Sequence, residues 1–244
     1  MIIQPISKRM EIMRKLRMVY AIAAATTGVA LVVCDNGTDP AALDDKVQGS
    51  VILSEGFEGN LSDYKQITYQ PGQGMMSIST QHARFGKGAL TSDSNNTGIK
   101  KMFDPSIYDS IAGLQFYLMA TKAAHTNFIA ALCQTGSSAN GLFTVFGMGI
   151  DKSDSLKYVF ENAPLDPMNE QKNFAPLTLN KWYKCKIEYN FTDTTLTYTV
   201  DKDTVYQRGV PNPMGLQIFV VMRDSLGAQG PSGCYIDNVN VYKR

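Results

Sequence analysis

The acids of this sequence are the first place to look for chemistry. Hydrolysis by paired carboxylates needs an acid and a nucleophile or base roughly 5–10 Å apart. A strand supplies that pair by alternating acids on one face, as in Glu-x-Asp-x-x-Glu. No strand-like segment here carries the pattern. Asp201-Lys202-Asp203 has the spacing but falls at a hairpin tip, and Asp151 and Asp154 fall in another turn, where acids serve turn geometry. Proton abstraction by His or Tyr beside Arg or Gln finds its residue types in Gln81-His82-Ala83-Arg84, but alternation splits these across a strand. His125 stands beside Asn127 in a loop, and with two histidines and no Cys-x-x-Cys spacing a zinc site lacks ligands. No pair of groups meets the geometry that catalysis demands, which favours a non-catalytic protein.

Binding needs less. Gln115, Tyr117 and Met119 alternate on one segment, and Gln217, Phe219 and Arg223 stand on another, both away from the faces assigned to the core. Sugar rings stack on aromatics and hydrogen-bond to Gln or Arg. Gln115, Tyr117, Gln217, Phe219 and Arg223 are therefore candidate ligand-binding residues on a concave sheet. The competing reading covers both faces and makes Phe219 plain core. The lone Trp182 fits the core better than a sugar platform.

These side chains need strands to hold them, and from Val51 onward the chain is β in character. Residues 183–189 send Tyr183, Cys185, Ile187 and Tyr189 one way and Lys184, Lys186 and Glu188 the other. Residues 194–200 alternate Leu196, Tyr198 and Val200 with threonines. Residues 128–133 and 215–223 are apolar on both faces, as central strands of a two-layer structure are. Residues 142–150 and 156–160 complete the set, separated by turn signals. Residues 88–100 are polar and loop-rich, the mark of an edge. Asp104-Pro105 suits the start of a single helical turn. No repeat or linker divides residues 50–244, so the expected fold class is all-β, a two-sheet antiparallel sandwich in one domain.

Hydrophobic residues make up 44% and charged ones 18%, which leaves ample core material and no disorder signature. Five of the 23 basic residues and one of the 22 acids precede Cys34. The remaining body is mildly acidic and has no electrostatic reason to bind nucleic acid. Cys133, Cys185 and Cys234 are an odd set whose pairing the sequence leaves open, and their strand-like settings favour small buried hydrophobes. At the N-terminus a basic stretch precedes the apolar run Met18–Val33, too short to span a bilayer and suited to a signal peptide over residues 1–33.

Two resemblances add to this reading. Leu31-Val32-Val33-Cys34, followed by an acidic tether over residues 34–49, resembles a bacterial lipobox, with Val33 where a small residue is usual. It implies lipidation of Cys34, contact with a membrane only through that anchor, and an outer-membrane or cell-surface location after export across the inner membrane. Ser54–Asn60, Arg84–Leu90, the Trp182-Tyr183 strand with its following hairpin, and Tyr235–Tyr242 resemble the LamG-like, concanavalin A-like jelly rolls and the β-sandwich carbohydrate-binding modules. That resemblance implies a jelly roll whose first and last strands pair. It also implies a structural Ca²⁺ held by Glu58 and Asp237, with Glu55 as a third candidate ligand. The alternative for Asp237 is a turn cap. The functional expectation is a non-catalytic envelope lipoprotein that binds a polysaccharide or other glycan. An adhesion module with a protein partner, or a lyase or hydrolase of this fold, are the alternatives.

Overall fold

The computed structural model describes residues 49–68, 74–92, 97–122, 127–135, 142–162, 170–210, 216–224 and 233–244, all within the compact unit Asn36–Arg244. The expected signal, Cys34 and most of the tether lie outside the described residues, as does His125.

Two sheets face each other. Sheet A takes β1 (Ser50–Glu55), β3 (Met76–Ser79), β4 (Ala89–Ser92), β6 (Ile111–Ala120), β11 (Tyr183–Asn190), β12 (Thr195–Val200), β13 (Asp203–Gly209) and β15 (Cys234–Lys243). Sheet B takes β2 (Lys65–Thr68), β5 (Thr97–Met102), β7 (Asn127–Thr135), β8 (Leu142–Ile150), β9 (Ser155–Asn162), β10 (Glu170–Pro176) and β14 (Ile218–Asp224). The order across sheet A is β13-β12-β11-β6-β15-β4-β3, with β1 also on β15. Across sheet B it is β10-β9-β8-β7-β14-β5-β2. Neighbours run antiparallel, and the fold is the expected jelly-roll sandwich.

Alternation builds the core between the sheets. Leu114, Phe116 and Leu118 of β6 and Cys185 and Ile187 of β11 meet Phe128, Leu132, Phe146 and Phe160 of sheet B. Tyr198 is fully buried and its hydroxyl donates to Val159 O at 2.8 Å, which gives the polar tip a partner across the sandwich. At the side where β10 and β13 end their sheets, Glu170 closes the gap. It accepts from Tyr158 Oη at 2.8 Å and from Tyr206 Oη at 2.9 Å. Burial and the Glu170 carboxylate raise the Tyr206 phenol above its ordinary value, so it stays a donor.

β15 carries the irregularity that matters most. Ile236 and Val239 both enter the core although three residues apart, which an even strand cannot do. The register slips between Asp237 and Asn240, and Asn238 takes φ 47°, a conformation asparagine tolerates better than most. Asp237 follows inward Ile236 and so points to the outer face of sheet A, opposite Tyr117, and the bulge after it returns Val239 to the core.

Two local expectations change. β1 stops at Glu55, so Glu58 lies beyond the strand rather than in it; Phe57, with φ 54°, turns the chain away. The strands within residues 88–100 are no edge, because β4 is flanked by β15 and β3, and β5 by β14 and β2. The expected turn after Asp104 is a 3-10 helix, Pro105–Ser110, capped by the Asp104 carboxylate on Ser106 N at 2.8 Å.

Candidate functional site

The expected ligand residues do not share a face. Gln115 and Tyr117 sit on β6 in sheet A, whereas Phe219 and Arg223 sit on β14 in sheet B. Phe219 is 0% exposed and belongs to the inter-sheet core, because its alternation with Val220 points it inward. Gln217 precedes β14 and spends its backbone on Cys133 O and Phe103 N. Arg223 faces Thr97 and Phe128 in register, and its side chain lies outside the described ones. Gln115 and Tyr117 do point outward, but both are covered. Phe85 meets the Tyr117 ring edge-on at 5.2 Å, and the Arg84 guanidinium lies 5.5 Å from its centre. Trp182 is partly buried and packs on Met119 and Tyr235 at the outer side of sheet A, away from the inter-sheet core.

The cover is the segment Arg84–Lys87, and two carboxylates hold it. Asp237 Oδ2 accepts from Arg84 N at 2.6 Å and Phe85 N at 2.9 Å, while its Oδ1 accepts from Asn238 N. Glu58 takes Lys87 N on both oxygens, at 2.8 and 3.0 Å. A β carbon on Gly86, at φ +63°, would overlap the Glu58 carboxylate. Burial raises Asp237 above the usual carboxylate range. The N–H bonds from Phe85, Arg84 and Asn238 offset part of that, and the charge of Glu58 adds to it.

The expected first-to-last pairing is present, with Glu55 opposite Val239. A calcium ion, however, needs carboxylate and carbonyl oxygens turned towards it. Here Asp237 and Glu58 turn theirs to backbone N–H donors, and Glu55 turns its own to Phe57 N at 2.7 Å and Tyr64 Oη at 3.1 Å. No cluster of three His, Cys, Asp or Glu suited to a metal occurs among the described residues. Asp237 Oδ1 caps its own turn at Asn238 N, the alternative reading of this residue, and Oδ2 also ties in the distant Arg84–Phe85 segment.

The outer face of sheet B holds the residues that sequence reasoning missed. The alternate phase of β7, β8, β9 and β14 gives Ala131, Cys133, Val145, Val159 and Val220, each at most 5% exposed, with Ile67 and Ile129 against them. Gly147 and Gly149 lie between them in register. These residues form a buried apolar layer on the outer side of the sheet, and polar groups stand along its β9–β10 flank. Lys157, 2% exposed, places Nζ 3.1 Å from Asn127 Oδ1 and 3.5 Å from Gln171 Oε1. Gln171 Nε2 in turn donates to Glu161 Oε1 at 2.9 Å. Burial pushes the Asp151 carboxyl up, but Asn173, Ser153 and the Lys157 charge outweigh it and hold it low. The signal available in the sequence was the small, apolar second phase of residues 128–133.

The other chemistry-bearing residues stay apart. Cys133, Cys185 and Cys234 are all buried. Burial, and then the charge of Glu161, push the Cys133 thiol well up, which leaves it inert. Asp201 pairs with Lys181 at 3.0 Å at the β12–β13 turn, and Asp151 and Asp154 occupy the β8–β9 turn. His82 packs on Tyr235 at 4.7 Å.

No family model matches the sequence, and no curated relative matches it. Solved structures do match the fold. A β-glucanase of Bacillus licheniformis is 9% identical with a TM-score of 0.53, over 81% of this chain and 99% of that one. Domain 4 of AbnA, an extracellular GH43 arabinanase of Geobacillus stearothermophilus solved with arabinotriose, is 9% identical with a TM-score of 0.54, over 80% and 93%. The binding domain of botulinum neurotoxin serotype D is 10% identical with a TM-score of 0.54, over 80% of this chain and 48% of that one. At such identities the likeness is one of fold.

Proposed function

We propose that the domain is a non-catalytic glycan-binding module whose site is the outer face of sheet B. The observation that carries this is the polar network Asn127–Lys157–Gln171–Glu161 on the β9–β10 flank, where Gln171 and the neighbouring Asn173 are exposed. Amide and carboxylate groups set side by side bond to the hydroxyls of a sugar. Sugar-binding or sugar-cleaving neighbours of the same fold agree with that chemistry. Glycoside hydrolysis asks for two carboxylates facing one bond. Glu161 is the one acid whose described side chain stands on this strand face, and Gln171 holds it.

The signal architecture supports export with Cys34 as the lipid-bearing first residue, presenting the domain at the outer membrane or cell surface. The mass of the native N-terminus tests that part. Binding is tested by a glycan array with the exported protein, followed by titration of the best ligand against Gln171→Ala and Glu161→Ala. Each variant should bind about tenfold more weakly, the loss of one charge-assisted hydrogen bond. Unchanged affinity in both, or release of cleaved sugar, would overturn the proposal.

A further inference from the structure

Sheet A has a hollow of about 660 Å³ on its outer face. It lies at the opposite end of β6 from Tyr117, beside Gly113, about 13 Å along the strand. Its floor is the Tyr242 ring, which lies across Gly113; a β carbon there would come within 2.6 Å of the ring tip. One wall is the ion pair of Lys186 Nζ and Glu188 Oε1 at 2.8 Å, with Thr197 opposite Glu188 in register. The rim is the Asn190–Thr192 turn, where the Arg244 guanidinium stands 4.6 Å from the centre of the Phe191 ring. One row away, opposite Lys186, Gln115 is 3% exposed and its Oε1 accepts no hydrogen bond among the described residues.

Resting on the glycan-binding reading above, the geometry points to a second saccharide site here, on the face opposite the first, sized for one or two neutral sugar rings. Charge decides the ligand class. An anion would meet Glu188, a cation would meet Lys186 and Arg244, and an apolar ligand would strip water from an ion pair without replacing its bonds. A neutral polyol meets none of these costs. Its vicinal hydroxyls can donate to Glu188 and accept from Lys186, Asn190 or Thr197, while Phe191 offers an apolar edge. Because the inter-sheet core separates the faces, a ring in one site cannot touch the other. The domain would then bind two sugar chains at once and gain avidity on a repetitive polymer.

The test is NMR titration of the exported, isotope-labelled protein with millimolar cellobiose, maltose, lactose and mannobiose. The amides of Asn190–Thr192 and Thr197 should shift saturably with at least one disaccharide. That response should weaken about tenfold in Glu188→Gln and again in Phe191→Ala. Shifts near Gln171 should persist in both variants, which also shows that they fold. Shifts confined to the sheet B face would overturn the second site and leave the first. Shifts on neither face would overturn both.

Discussion

The outer faces of the two sheets arise from the same alternation and carry opposite side chains. On sheet A the outward phase is long and polar, with Lys184, Lys186 and Glu188 on β11 and Gln115 and Tyr117 on β6. A strap, Arg84–Lys87, lies over part of it, pinned by Asp237 and Glu58. On sheet B the outward phase shrinks to Ala131, Cys133, Val145, Gly147 and Gly149. Its polar groups stand at the flank instead. Alternation therefore fixes which phase makes the core, and the size of the other phase decides where the polar groups stand. Long side chains carry them on the face itself, and small ones leave them to the flank.

The strongest way to break this contrast is Asp237→Ala. It orphans the N–H groups of Arg84, Phe85 and Asn238 together. At roughly 1 kcal/mol or more for each partly buried donor, the expected loss is about 3 kcal/mol in urea unfolding. Sheet A should lose its strap while glycan affinity on sheet B stays as it was. Calcium provides the control. With N–H donors on the carboxylates, EGTA and millimolar calcium should give one melting temperature for wild type. A calcium-dependent rise that Asp237→Ala abolishes would restore the ion and refute the N–H account.

Next in size is Gly147→Val on sheet B. Its β carbon would lie 2.9 Å from Ile129 Cγ2 and 3.0 Å from Ala131 Cβ, with two methyls beyond it. Overpacking of this kind costs about 2 kcal/mol. Gly147 pairs with Val159, and Val159 with Gln171, so the disturbance reaches the polar flank and glycan binding there should fall out of proportion to stability, while Asn190–Thr192 on sheet A is undisturbed. Equal loss on both faces would mean that the faces are not independent.

Much of this was legible from residue order. The strand at residues 142–150 was found with its ends, and the 183–189 pattern gave both faces of β11. Asp104-Pro105 marked its helical turn. What escaped depended on partners far away. Phe219 was assigned outward because residues 215–223 are apolar in both phases, so period alone could not choose the face. That the carboxylate of Asp237 holds Arg84 N and Phe85 N could not be read, because these are backbone groups 153 and 152 residues away. Lys157 drew no reading of its own; only the register of β8, β9 and β10 sets it beside Gly149 and Asn173, within reach of Asn127.

The smallest expected effect joins the two sheets, and its sign separates two carboxylates. Hydrogen bonds from Tyr158 and then Tyr206 hold Glu170 below the ordinary glutamate range. Burial opposes this, and the charges of Arg208 and Lys172 assist it. A folded value below the unfolded one means stability that is fully present above the unfolded value, near pH 4.3 in an open chain, and lost as pH falls through the folded one. Asp237 runs the other way. Raised by burial, its contribution is greatest below its unfolded value and is lost as pH rises through the folded one. Glu170→Gln keeps an acceptor for one tyrosine and removes the charge. It should cost about 1 kcal/mol near neutrality, a modest figure because water reaches the group. The gap between wild type and Glu170→Gln, followed by urea unfolding from about pH 7 to about pH 3, should close on acidification. The tyrosines stay protonated throughout, so the closing gap reports the carboxylate. A gap that holds constant to the acid limit would show that the tyrosines grip Glu170 without regard to its charge, and that the edge between β10 and β13 is held by packing alone.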